Sequence, residues 1–164
     1  MKYTDKGPLG YYFEDIEDGE TLISQGRTIT EADIVNFGNM IGDFNPLHFD
    51  AEYAKTTIFQ QRIAHGMLTL SFATGLGNML GASLNTIMAF KGLTVEFKRP
   101  IFIGDTIRLK TTVTNKRESS KQAGGWVTQN FEILNQYDAV VQVGEWSMLV
   151  AFHPDNPKTK ERSL

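Results

Sequence analysis

The chain has 164 residues, of which 41% are apolar and 21% charged, with a formal net charge of −3. That suits one soluble globular domain with a real core, and the slight acidic balance gives no basic surplus for nucleic acid. Cysteine is absent, which excludes disulfides, thiolate nucleophiles and cysteine metal sites. The three histidines, His48, His65 and His153, include no His-x-x-x-His spacing, so no metal centre is expected.

Met1 to about Phe13 reads as an irregular, Gly/Tyr-containing arm. No apolar signal core follows the Met1-Lys2-Tyr3 start, so a cytoplasmic protein is expected. The apolar-leaning stretch from Met67 to Leu80 is too short to span a bilayer and is broken by Thr, Ser, Asn and Gly, so no membrane association is expected. Thr21 to Thr28 predicts a first strand, with Leu22 and Ile23 available for burial. Thr30 is a good N-cap, with Glu31 and Asp33 at the positive end of the helix that follows. Ile34, Phe37 and Ile41 give that helix one apolar stripe, and Gly42 ends it. Pro46 pushes Asn45 out of helical geometry, so Asp43 to His48 is expected as a tight loop rather than a helix. Asp50 to Lys55 predicts a short helical turn.

Gly66 to about Leu80 predicts a second helix, apolar nearly all round and therefore a core helix. Gly75 and Gly77 weaken it by about 1 kcal/mol each against Ala, which suggests a backbone packed closely there. Thr86–Phe97, Thr106–Asn115, Trp126–Leu134 and Val140–Phe152 then read as strands. Pro100, Gly104-Asp105, Gly124-Gly125 and Asn135 to Asp138 are the turn signals between them. Residues 153–164 read as a polar tail, and 1–164 as a single domain with its core at about 14–152. Helix, loop, buried helix and then a run of antiparallel strands means α+β, with the sheet curled around the apolar helix.

Two segments carry chemistry. Asp43 and His48 stand five residues apart across an Asn45-Pro46 turn. An imidazole titrates near working pH, and a carboxylate across the turn can share a water with it. The same residues also suit a plain structural loop, with Asp43 in an Asx-type turn and His48 in the partial core. In Ile63-Ala64-His65-Gly66-Met67, Gly66 opens the buried helix, where free N–H groups and the dipole favour negative charge and glycine admits a ligand carbonyl. An oxyanion hole for a thioester fits there; so does a simple chain break beside a histidine. Trp126 and Trp146 read as core or interface packing.

Phe37, Gly42-Asp43-Phe44-Asn45-Pro46-Leu47-His48 and the later Ala54 resemble the hydratase motif of the MaoC-like family, the (R)-specific enoyl-CoA hydratases and dehydratases of the hot-dog fold. Ala64-His65-Gly66-Met67 is similar to its second landmark, and Phe97-Lys98-Arg99-Pro100 with Gly104-Asp105-Thr106 to its strand-turn-strand signature. The resemblance runs from about residue 20 to 152. It implies a curved antiparallel sheet wrapped around the apolar helix. It implies that Asp43 and His48 activate water for addition to a trans-2-enoyl thioester, or run the reverse dehydration. The Gly66 N–H, beside His65, would hold the thioester oxygen, and Asn45 would orient the loop. Thr74 falls where the family carries a hydroxyl that supports the aspartate; alternatively, its hydroxyl returns to the helix backbone.

Lys98, Arg99 and Arg62 are the cations expected to meet coenzyme A phosphates, from a pool that also includes Lys55, Lys110, Lys116 and Arg117. Met40, Ile41, Met67, Leu70 and Phe72 are expected at the acyl pocket, as well as being ordinary core candidates. The resemblance implies a homodimer or dimer of dimers, and no metal or redox cofactor, coenzyme A being part of the substrate. An acyl-CoA thioesterase and a non-catalytic acyl-CoA-binding module are the alternatives.

Overall fold

The computed structural model describes residues 10–81 and 84–162. Residues 1–9 of the expected arm, and the last two residues of the tail, lie outside the described residues. The elements run as a 3-10 turn Phe13–Asp15, β1 Thr21–Ile23, β2 Arg27–Thr28, α1 Glu31–Ile41, α2 Pro46–Phe49, α3 Ala51–Lys55 and α4 Gly66–Met79, followed by β3 Ile87–Phe97, β4 Thr106–Glu118, β5 Gly124–Leu134, β6 Val140–Ala151 and α5 Pro157–Glu161. The strands form one antiparallel sheet in the order β1-β4-β5-β6-β3, with β2 also on β4. This is the expected α+β hot-dog arrangement: the sheet curves around α4, whose Leu68, Leu70, Ala73 and Leu76 pack with Leu109, Phe131, Ile133 and Trp146. Along β4 the residues alternate buried and half-buried from Ile107 to Val113, the pattern of a sheet with one face on the core.

Local chemistry sets the helix ends as expected. Thr30 and Asp33 form a reciprocal capping box on α1, and Gly42 closes it in the left-handed region at φ 75°. Other expectations need correction. The single strand at 21–28 is two pieces. Between them Ser24 keeps to β4 by its N–H to the Leu109 carbonyl (2.8 Å), but its hydroxyl, not its carbonyl, takes the Leu109 N–H (2.9 Å). Gly124 and Gly125 are no turn; they begin β5. A Cβ on Gly125 would lie 2.2 Å from the Phe13 ring, and one on Gly124 would lie 2.4 Å from the Val150 carbonyl. The end of the arm is therefore docked, with Phe13 edge-on to Phe152 at 5.6 Å between centroids. The tail holds a helix, α5, capped by Asn156 and tied back by Glu14, which accepts from the His153 N–H at 2.9 Å.

Burial of α4 is one-sided. Met67, Ser71, Thr74, Gly75 and Met79 are exposed in the single chain. No backbone packs against its glycines: a Cβ on Gly75 would meet nothing within 4 Å, and one on Gly77 would touch only the Leu109 side chain at 3.3 Å. β3 is the outer strand of the sheet, bonded among the described residues only to β6, and presents Ile87, Phe90, Leu93 and Phe97 as exposed apolar side chains. No described helix is long and apolar enough to cross a membrane.

Candidate active site

The corner after α1 is held by successive caps. Asp43 accepts the Asn45 N–H through its carboxylate (3.1 Å), the Asx turn weighed above. Asn45 caps α2, accepting the Leu47 N–H at 3.0 Å, with Pro46 at the first helical position. Asp50 then caps α3, accepting the Glu52 and Tyr53 N–H groups at 2.9 Å each. So Asp43 to His48 is not a loop throughout. His48 stands in the one-turn helix α2, because Asn45, set extended by the proline, becomes its cap.

This geometry brings the two histidines and the aspartate together. One nitrogen of His48, one of His65 and a carboxylate oxygen of Asp43 lie within 4.8 Å of one another. His48 Nδ1 lies 2.8 Å from the Ile63 carbonyl. A carbonyl only accepts, so Nδ1 carries the proton and Nε2 keeps the lone pair. His65 is buried and donates from Nε2 to the Asp43 main-chain carbonyl (3.1 Å), while its Nδ1 has no protein partner. Its ring stacks on His48 at 3.8 Å and 30°, with Phe37 and Phe49 around it. Burial pushes the His65 imidazole below its ordinary pKa, against the pull of Asp43. Gly38 admits this packing: a Cβ there would lie 2.3 Å from the Phe49 ring and 3.1 Å from the Asp43 carbonyl.

Two imidazoles and a carboxylate are donors that zinc accepts. Here the rings lie one over the other at 3.8 Å, tilted by 30°, and each has a nitrogen committed to a carbonyl. The arrangement fits proton transfer better than an ion.

An open cleft of about 400 Å³ adjoins the cluster, walled by His48, Gly66, Met67, Thr69, Phe97 and Gln142. Gly66 opens α4, whose start has no side-chain cap. Among the described residues no hydrogen bond uses the Gly66 N–H. The space a Cβ would take at Gly66 is filled by the Phe97 ring, 2.5 Å away, so the glycine there also serves packing.

The other expected site residues divide. Lys98 and Arg99 line the cleft; Lys98 pairs with Glu96, whereas Arg99 has no ion pair among the described residues. Arg62 does not line it: its guanidinium holds Glu31 of α1 in a two-pronged pair at 2.8 and 2.5 Å. Thr74 is also elsewhere. It stands eight residues along α4 from Gly66, about 12 Å at 1.5 Å per residue, and its hydroxyl donates to the Ser71 carbonyl (2.7 Å). It borders a separate apolar cavity of about 150 Å³, with Phe90 and Trp146. Of the expected acyl-pocket residues only Met67 reaches the cleft. Met40 and Ile41 are exposed on α1, Leu70 is core, and Phe72 lies beneath the Arg27 guanidinium, 3.8 Å from its ring centroid.

Gln142 and Phe97 were missed by the sequence reading. A glutamine set between Val141 and Val143 in a predicted strand was the available signal for the first. Phe97 entered only as part of the strand-turn-strand signature, and its packing on Gly66 joins positions 31 residues apart, which no local pattern shows.

Comparison with known proteins places the chain in a family. A family model described as "MaoC like domain" matches residues 13–132. The (R)-specific enoyl-CoA hydratase of Rhodospirillum rubrum is 42% identical over 105 residues, covering 63% of this chain and 70% of that protein. The (R)-specific enoyl-CoA hydratase of Aeromonas caviae is 36% identical over 115 residues, covering 70% and 81%. Among solved structures, one titled monoamine oxidase regulatory protein, from Archaeoglobus, superposes with a TM-score of 0.81 at 40% identity, covering 88% of this chain and 97% of that one. The family model spans residues 13–132, more than half of the chain, and the chain belongs to the MaoC-like domain family.

Proposed function

We propose that the protein is a hydro-lyase that adds water across the double bond of a trans-2-enoyl-CoA to give the (R)-3-hydroxyacyl-CoA, or runs the reverse dehydration. The observation that carries this is the convergence of the Asp43 carboxylate with a His48 ring whose Nδ1–H is tied to the Ile63 carbonyl. Tying Nδ1 leaves Nε2 as the base, with its orientation already set.

A water between Asp43 and Nε2 of His48 gives one proton to the imidazole as its oxygen bonds to C3 of the enoyl group. The π electrons move to C2 and onto the thioester oxygen. The Gly66 N–H, at the positive end of α4, stabilises that oxygen. The proton held by the pair then goes to C2, which completes the addition of water with no electron transfer and no cofactor beyond the coenzyme A of the substrate. Neutral His65 anchors the Asp43 main chain and backs the His48 ring without adding a second positive charge. Lys98 and Arg99 at the cleft are the cations placed to meet coenzyme A phosphates. The cytoplasm, which holds acyl-CoA, is the compartment this reading favours.

The same reading takes the working form to be a homodimer. Among the described residues β3 has an open hydrogen-bonding edge and four exposed large apolar side chains, a liability in a monomer and a ready pairing surface for a second copy.

Crotonyl-CoA with purified protein tests the activity, following the ultraviolet absorbance of the conjugated thioester with a thiol reagent in parallel. Loss of conjugation without free thiol, and an (R) product, is the expected outcome. Free thiol would replace the proposal with thioester hydrolysis. No reaction across short, long and branched enoyl-CoAs would leave acyl-CoA binding without chemistry.

A further inference from the structure

Gly66 lets the thioester oxygen approach its N–H closely, but a backbone without a Cβ is permissive and helix ends fray. A donor that wanders gains nothing from being in place before the reaction. Something must hold the first turn of α4 from outside the helix.

Gln142 does so. It stands on β6, in register with Phe97 of β3 on one side and Ile133 of β5 on the other. Its side chain is buried at 2% exposure, yet it borders the cleft. Its Nε2 donates to the Gly66 carbonyl at 2.9 Å. That carbonyl and the Met67 N–H share one rigid peptide plane, so the bond fixes the direction of the first turn. Its own Oε1 and the hydroxyl of Thr69, one turn along α4, are both buried without a partner among the described residues. The carboxamide therefore gives its one described hydrogen bond to Gly66. A buried amide on a central strand is a costly way to fill space, which leucine or methionine would fill without an unpaired oxygen. On the other side the Phe97 ring packs where a Gly66 Cβ would be.

We infer that Gln142 is a positioning residue for the thioester-oxygen site, clamping the Gly66 peptide from the sheet so that the N–H groups at the start of α4 point into the cleft. This rests on the hydratase reading above. It does not touch the reacting atoms; it acts through the main chain.

Two variants test it, both close in size to glutamine. Gln142→Met removes the donor. Gln142→Glu keeps the shape, and its carboxylate can donate to the carbonyl only when protonated. With crotonyl-CoA, Gln142→Met is expected to lower kcat by about 10- to 100-fold, less than the 10²–10³ typical of losing an oxyanion donor outright, with KM within about threefold of wild type. Gln142→Glu is expected to be similarly impaired at pH 8 and to recover relative to wild type as pH falls. His48, Lys98 and Arg99 are the titratable groups sharing the cleft with Gln142. Gln142→Met, which carries the same groups and adds no charge, is the reference for their titration. Circular dichroism and thermal melting accompany each measurement. A variant that melts lower but keeps its kcat would overturn the inference, as would a Gln142→Glu/wild-type ratio flat in pH. If wild type itself does not hydrate enoyl-CoA, the hydratase reading fails instead, and the two failures are told apart by the wild-type assay alone.

Discussion

The corner from Gly42 to Lys55 and the outer strand β3 both reach the same cleft, through His48 and Phe97, but they are determined in opposite ways. In the corner, Gly42, Asp43, Asn45 and Asp50 each satisfy a backbone group within three or four residues, so a short run of sequence specifies its own shape. Among the described residues β3 takes its register from β6 alone and leaves one edge and four large apolar side chains open. The difference teaches that the chemistry is built locally, while the outer wall of the site depends on contacts made at long range and, on the homodimer reading, by a second chain.

The corner breaks first at its two chemical groups. Asp43→Asn retains an oxygen to accept the Asn45 N–H, so the fold should persist while turnover falls by about 10²–10⁴, the scale of lost acid–base participation. His48→Ala should fall by as much, measured as crotonyl-CoA hydration beside an unchanged circular dichroism spectrum. Next is Gly38→Ala, which forces the Phe49 ring and the Asp43 carbonyl apart; overpacking of this kind costs about 1–3 kcal/mol in a denaturant melt.

His65 sharpens the comparison through pH. Burial holds its folded pKa below the ordinary value of 6.5, so the unfolded chain takes up this proton first as pH falls. Its contribution to stability is full above the ordinary value and is lost as pH drops from there through the depressed folded one. Wild type should therefore lose more stability between pH 7.5 and 5.5 than His65→Gln, which keeps a donor but cannot titrate; equal losses would show that His65 is not what the acid destabilises.

On the other side of the comparison, Leu93→Lys places a charge on the open face of β3. As an exposed substitution it should change the stability of the single chain by only about 0.5 kcal/mol. If the homodimer pairs through β3, sedimentation should nevertheless show it dissociating; an unaltered dimer would place the interface elsewhere, and a monomeric wild type would overturn the homodimer reading. The smallest effect belongs to the exposed Glu31–Arg62 pair, where Arg62→Gln should cost about 0–1 kcal/mol and leave the KM for acyl-CoA unchanged, since Arg62 does not line the cleft.

How much was legible in sequence follows the same division. The capping box on Thr30, the terminator Gly42 and the helix α4 are local patterns, and each forms, although the Asn-Pro corner winds into α2 instead of a loop and α4, apolar nearly all round in sequence, is buried on one side only. The family motif then singled out Asp43 and His48, which the structure brings together. What failed to show depends on partners far along the chain. Gly124-Gly125 mimics a turn, until Phe13 is seen to require the missing side chain at Gly125. Ser24 splits a strand only because its hydroxyl finds Leu109. Arg62 was one cation among many until Glu31 claimed it, and Thr74 shares a helix with Gly66 without sharing its site. Gln142 could be noticed as a polar residue among apolar ones, but its partner, the Gly66 carbonyl, lies 76 positions away.

The most direct test is to run crotonyl-CoA with wild type, Asp43→Asn and His48→Ala in oxygen-labelled water, and to follow the label by mass spectrometry. The account predicts the label in the 3-hydroxyl of the wild-type product, no labelled carboxylate from thioester hydrolysis, and both variants slower by about a hundredfold or more. Full activity in either variant, or label in a released acid, would contradict it.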